Sequence, residues 1–158
     1  MIFRSIVYFL IVCALQYWWG EHFRFFGLSL DFAFMACVSS VSLFSPVHSL
    51  VFSFFLGFFS DFSSWGHFGL YCLSYTLISY SLISLRSRAD FSSGFSRSIL
   101  FFSFFYLNIL FYSLFYFAIY KNWFFSWKDF IVAPFLNLLF FWLFYEISDR
   151  YLSVKKCL

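Results

Sequence analysis

Six apolar runs follow one another along this chain, and the longest polar stretch between any two of them is 86–97, RSRADFSSGFSR. A soluble domain hides one apolar core beneath polar surface; a chain of this layout has too little polar surface for that. Phe alone occupies 31 of the 158 positions, hydrophobic residues make up 63% and charged residues 11%. Soluble domains run at about 45–50% apolar and about 25% charged. The solvent for most of the surface is therefore expected to be a lipid bilayer.

The runs are 2–19, 25–44, 47–62, 66–85, 98–120 and 129–148. A helix that crosses the hydrocarbon core needs about 20 mostly apolar residues. The third run is the shortest. Its uninterrupted apolar part, 47–60, reaches about 21 Å at about 1.5 Å per residue, against a core of about 30 Å. It is expected to be recessed, to thin the bilayer, or to use Asp61 and Phe62 as its last turn. The expected fold class is an all-α integral membrane protein with six transmembrane helices in one bundle, a single polytopic domain over 1–158.

Local chemistry marks the breaks. Trp19-Gly20-Glu21-His22 closes the first run, and Ser45-Pro46 separates the second from the third, since Pro continues no helix and restrains the residue before it. Ser63-Ser64-Trp65-Gly66 forms the turn after Asp61, with Trp65 as an anchor at headgroup depth. Lys121-Asn122 and Trp127-Lys128-Asp129 bracket the last connection. One early Arg and an apolar run open the chain as in a secretory signal, but no small-x-small cleavage pattern follows, so this segment is expected to remain as the first helix.

Positive charge sets the expected orientation. With six spans and a cytoplasmic N-terminus, Arg4, Arg86, Arg88, Arg97, Arg150, Lys155 and Lys156 lie inside, while Arg24, Lys121 and Lys128 lie outside. Five spans with an external N-terminus exchange only Arg4 and Arg24. In both cases 86–97 is expected to be a cytoplasmic loop and 149–158 a cytoplasmic tail. The net charge of +3 comes from dispersed basic residues, so no nucleic-acid footprint is present.

Cys13, Cys37, Cys72 and Cys157 are widely spaced and form no CxxC, and His22, His48 and His67 fall in separate breaks, so neither a disulfide framework nor a metal site is expected. The terminal KKCL lacks the length of a prenylation box. No phosphate loop, HExxH or G-x-S-x-G occurs, and no cofactor or catalytic activity is expected.

The residues that carry a message lie around 57–75, GFFSDFSSWGHFGLYCLSY. A central Asp costs about 2.5–3.5 kcal/mol on insertion, whereas each Leu, Ile, Phe or Val returns about 0.3–0.6. Asp61 is accordingly expected at the membrane interface. It is either a cap for the helix that follows or a contact for a partner. Gly57, Gly66 and Gly69 cluster at the same turn, and small residues let helices approach closely in lipid. They serve internal packing or the docking of a partner helix. Asn108 and Asn137, inside the last two runs, are read as interhelical hydrogen-bonding groups. Glu146, Asp149 and Arg150 fall at the end of the last helix, where Arg suits the dipole and the acids pair with it or with Lys155.

The order of these residues resembles the rod shape-determining MreD family of bacteria: Gly57-x-x-x-Asp61, a turn, then Gly66-x-x-Gly69-Leu70-x-x-Leu73-x-Tyr75-x-x-x-x-Tyr80 with basic residues soon after. Gly27-Leu28-Ser29-Leu30-Asp31-Phe32 looks like a diverged form of that family's Gly-x-x-Pro-Asp-Leu opening of its second helix, with Leu30 in place of Pro and Asp31 kept. Pro134-Phe135-Leu136-Asn137 running to Arg150 is similar to its last helix. The resemblance implies a fold similar to the substrate-binding subunits of energy-coupling-factor transporters. It also implies a non-enzymatic scaffold of the elongasome that binds MreC, a single-span membrane protein, and supports lateral peptidoglycan synthesis and cell shape. MreB, RodA and its transpeptidase are the wider partners it implies. The alternative is the substrate-binding subunit of a vitamin-type transporter, which would need convergent polar groups in an outer pocket. Gly57, Asp61, Gly66 and Gly69 are the candidate partner-binding or helix-packing residues; Asp31, Pro46, Trp65, Asn108, Pro134 and Asn137 are read as structural.

Overall fold

The computed structural model describes residues 2–22, 30–63, 69–86, 94–122 and 127–152, without the side chains of 2, 21 and 127–129. Trp65, Gly66, His67, Arg24, Gly27 to Ser29, Arg88 and the tail from 153 lie outside the described residues. Among the described residues all regular structure is helical. The helices are α1 (Ile2–His22), α2 (Phe32–Leu43), α3 (Pro46–Ser63), α4 (Leu70–Leu85), α5 (Gly94–Tyr120) and α6 (Trp127–Leu152).

Capping chemistry fixes the ends. Asp31 is the N-cap of α2, and its carboxylate accepts the Phe34 amide at 2.9 Å. Phe44 ends α2 in an extended conformation, and Pro46 opens α3 at the first helical position, where its missing N–H is no loss. The α5 chain closes in the left-handed region at Lys121 (φ 59°), whose amide donates to the Phe117 carbonyl at 2.9 Å.

The second run, expected over 25–44, carries its described helix only over Phe32–Leu43. Twelve residues make about 18 Å of helix, so α2, rather than the third run, is the shortest helix among the described residues. It is also the most enclosed, since every residue from Phe32 to Val41 is buried. A helix that is apolar all round belongs inside. α2 packs against α1, α3, α4 and α6, and Phe34 reaches α5 with its ring 5.6 Å from Phe101 and 5.3 Å from Phe105. Further aromatic pairs fill the space between helices, with Phe101 on Phe141 at 4.1 Å and Phe52 against Tyr8 and Phe44 at 5.6 and 5.4 Å.

Side-chain bonds to α2 give the direction of each neighbour. Gln16 bonds Ala33 while Tyr8 bonds Ser39, so α1 is antiparallel to α2. Ser49 bonds the Ser40 carbonyl while Ser53 meets Cys37, so α3 is antiparallel too. Tyr75 meets Asp31 and Arg86 meets Phe44, which makes α4 parallel. Asn137 bonds Asp31, and Tyr8, at the Ser39 level of α2, bonds Ser148, which makes α6 parallel. α5 runs against α6, with Phe102 on Phe135 at 5.2 Å and Trp142 bonded to Ser98 at 2.9 Å. Successive helices therefore alternate in direction. Arg4, His48, Arg86, Arg97 and Arg150 fall at one end of the bundle, and Asp61 and Lys121 at the other.

The outward faces are apolar. Phe3, Val47, Phe62, Phe95 and Leu139 are among the large hydrophobic side chains left exposed. Gly94–Tyr120 and Phe130–Leu152 are long and apolar enough to cross a membrane.

Candidate helix-packing and partner-binding site

α3 and α4 form a close hairpin, and at Gly57 their backbones approach closely. A Cβ built on Gly57 would lie 2.5 Å from the Cys72 Cα and 2.8 Å from both the Cys72 nitrogen and the Tyr71 carbonyl oxygen. These are backbone atoms and cannot swing aside. Gly57 is thus buried against α4 of its own chain.

One turn further along α3, Asp61 is 3% exposed and holds the start of α4. One carboxylate oxygen accepts the Tyr71 amide and the other accepts the Cys72 amide, both at 2.9 Å. The first amides of a helix have no intrahelical partner and carry the positive end of its dipole. Gly69, the residue before α4, makes no side-chain cap and sits at φ +98°, in the left-handed region. Asp61 therefore caps α4 from across the hairpin, ten and eleven positions away in the chain. Of the four candidate residues, the structure brings Gly57, Asp61 and Gly69 together at this junction; Gly66 and the neighbouring Trp65 fall outside the described residues.

A second carboxylate is more deeply connected. Tyr75 donates its hydroxyl to Asp31, 2.9 Å from one carboxylate oxygen and 2.8 Å from the other, and the Asp31 amide donates to Asn137 Oδ1 at 2.8 Å. Asn137, 1% exposed, also donates Nδ2 to the Ala133 carbonyl at 2.9 Å, beside the buried Pro134 of α6. Asp31 thus joins the N-terminus of α2 to α4 and α6. Its neighbour Ala33 donates to Gln16 Oε1 of α1 at 3.2 Å. Asn137, expected to bond across the last two helices, has its interhelical partner at the start of α2. Tyr75 was noted only for its spacing. A tyrosine inside an apolar run is itself the signal, because a buried phenol needs a partner.

Below this level Cys37 Sγ donates to Ser53 Oγ at 3.3 Å and lies 3.1 Å from Ser79 Oγ, while Ser79 Oγ donates to Ser53 Oγ at 2.5 Å. Lower still, Tyr8 links Ser39 at 3.2 Å and Ser148 at 2.9 Å. At the bottom, Arg86 Nη1 donates to the Phe44 carbonyl at 2.9 Å, satisfying the end of α2. Asn108 is buried, and its carbonyl oxygen has no hydrogen-bond partner, nor do the hydroxyls of Ser60 and Ser74. Glu146 and Arg150 pair at 2.6 Å on an exposed face, an i,i+4 contact of a few tenths of a kcal/mol.

No group of three metal-ligating side chains occurs among the described residues. An apolar groove of about 350 Å³ lies between α1 and α3, walled by Ile6, Phe9, Phe44, Val51, Phe52 and Phe55, with Ser5 and His48 also on its lining. No family model, curated protein or solved structure matches the chain.

Proposed function

We propose that the chain is a six-span membrane protein with both termini cytoplasmic, and that it works as a non-enzymatic scaffold of the MreD type. The observation that carries this reading is the division of polar and apolar groups. Asp31, Asp61, Tyr75, Asn137, Tyr8, Cys37, Ser53 and Ser79 bond the chain's own helices to one another, while large hydrophobic side chains coat the outside. Helices in lipid associate through close packing and such interhelical bonds. Both oxygens of Asp61 are engaged by α4, which favours a packed body over a metabolite pocket at that end.

Alternating helix directions and the placement of Arg4, Arg86, Arg97 and Arg150 at one end support the orientation. The partner comes from the MreD resemblance: an MreC-type single-span protein, and through it MreB, RodA and its transpeptidase in lateral wall synthesis. Gly57, Asp61 and Gly69 serve this role by holding the α3–α4 hairpin in one shape, so that the outward faces form a fixed template. Location in a bacterial cytoplasmic membrane follows from the same reading.

The test is photo-crosslinking in the source cells, with the reactive residue placed at exposed positions such as Leu110, Leu139 and Leu143. Clustered cross-links to the MreC-type protein are expected. Absence of that partner at every position, together with a vitamin-sized metabolite retained on purification, would replace the scaffold with a transporter subunit.

A further inference from the structure

Asp31 stands some way in from the end of the bundle. Its backbone amide donates to Asn137, which lies about 10 Å along the apolar stretch Phe130–Leu152 at about 1.5 Å per residue. On the membrane reading above, the carboxyl is then within a hydrocarbon core about 30 Å thick. An ionised side chain at that depth is costly, pairs with another group and marks function. Among the described residues no Lys, Arg or His forms an ion pair with Asp31. The titratable groups around it are Tyr75 and Tyr71 of α4 and Cys37 of α2, with Tyr112 of α5 and Asp61 of α3 beyond Tyr71. α6 and α1 present amides, Asn137 to the Asp31 nitrogen and Gln16 to that of Ala33. None of these groups is positive at neutral pH.

The phenol of Tyr75 gives an independent observation. Asp31 is half-buried, but Tyr75 is 1% exposed. The phenol oxygen lies 2.9 Å from Asp31 Oδ1 and 2.8 Å from Oδ2, both hydrogen-bond distances. A phenol has one hydrogen and fills one of them; a carboxylate has none for the other. A protonated carboxyl does. Its Oδ2–H donates to the phenol oxygen, the phenol donates back to Oδ1, and the Phe34 amide donates to Oδ1 at 2.9 Å. Every donor then has an acceptor, and no net charge stands among apolar side chains. A divalent metal ion takes about six oxygen ligands, whereas the Asp31 oxygens are turned to one phenol and one amide N–H.

We propose that Asp31 is a proton-binding site within the membrane, held as the acid at neutral pH in a two-bond pair with Tyr75, and that release of its proton loosens the junction of α2 with α4. The proton leaves to water, and the carboxylate keeps one bond from Tyr75 beside that from Phe34. The site rests on the membrane reading but not on the identity of the protein partner.

The test is infrared spectroscopy of the purified full chain in micelles, as the difference between neutral and alkaline buffer. A carboxylic acid C=O band is expected at neutral pH and its loss at alkaline pH. The band should be missing from Asp31→Asn and kept in Asp61→Asn. In Tyr75→Phe, which removes the donor to that carbonyl, it should move to higher frequency. Thermal unfolding gives a second readout: a native state that holds a proton the unfolded chain has released loses stability as pH rises. From neutral to alkaline pH the unfolding midpoint of the parent should therefore fall a few degrees further than that of Asp31→Asn. Absence of the acid band from the parent at neutral pH, which needs no variant, overturns the site, as does a band that survives in Asp31→Asn. Stability that follows sodium in place of pH would assign the carboxylate to a metal cation and overturns the proton. Release of the protein from membranes by alkaline carbonate would defeat the membrane reading and the site with it; an ionised Asp31 in a protein that stays in the membrane defeats the site alone.

Discussion

Asp61 and Asp31 are carboxylates in a chain with few charges, and each accepts hydrogen bonds from another helix. Replacing Asp61 with Ala leaves two α4 amides without acceptors, and hydrogen bonds to a charged group contribute about 1.5–3 kcal/mol each. Asp61→Ala is therefore expected to destabilise the protein by about 3–6 kcal/mol in detergent unfolding titrations. Asp61→Asn keeps one carbonyl acceptor and should lose roughly half as much; a loss equal to that of Asp61→Ala would show that a single uncharged acceptor does not hold the start of α4. At the other carboxylate, Tyr75→Phe removes the phenol that serves both Asp31 oxygens. A double-mutant cycle of Tyr75→Phe with Asp31→Asn should give a coupling of about 1–3 kcal/mol, as for residues in one network. Additive effects would mean that the two side chains meet without supporting each other.

At the scale of the helix pair, Gly57 and Gly20 make a controlled comparison. Gly57 faces α4 backbone at 2.5 Å from a built Cβ, whereas a Cβ on Gly20 meets nothing within 4 Å. Gly57→Ala should open the α3–α4 hairpin and lower stability by about 1–3 kcal/mol or more, since neither backbone can yield. Gly20→Ala should be neutral or stabilising by up to about 1 kcal/mol. A Gly57→Ala protein that unfolds like the parent would refute the close approach. The hairpin also shows what the residues made legible. Ser45-Pro46 marked the start of α3, and Asp61 with three glycines marked a junction, because breakers and caps act within a few residues. Two features were not legible. That Gly57 faces α4 of the same chain, and that Asp31 meets Tyr75 forty-four positions on, depends on which helix faces which. Apolar periodicity carries little of that in helices whose lipid-facing and core-facing sides are both rich in Phe. The shortness of α2 was hidden by its run, which reads as 25–44, although the family resemblance puts a helix opening at 27–32; the Phe34 amide bonded to the Asp31 carboxylate places the helix start at Phe32.

For the whole molecule, α2 is a buried axis about 18 Å long inside longer helices, and its polar ties lie at successive levels from Asp31 through Cys37 and Ser39 to Phe44. Of the helices around it, α5 and most of α6 have the length and apolarity to cross a bilayer. On the proposed six-span reading, the alternating directions put the connection after α5 and the tail after α6 on opposite sides of the membrane. Lysine is distributed so that this can be read without mutation: Lys121 ends α5 and Lys128 starts α6, while Lys155 and Lys156 follow α6. A membrane-impermeant amine reagent applied to intact spheroplasts should modify Lys121 and Lys128, as mapped by peptide mass spectrometry. Lys155 and Lys156 should react only after the membrane is opened. Labelling of all four from outside, or of Lys155 and Lys156 alone, would contradict the orientation. The same experiment separates six crossings from five, because an N-terminal amine modified in intact spheroplasts requires α1 to begin outside. It should instead remain protected along with the tail, since Tyr8 of α1 and Ser148 of α6 are bonded to each other at one end of the bundle.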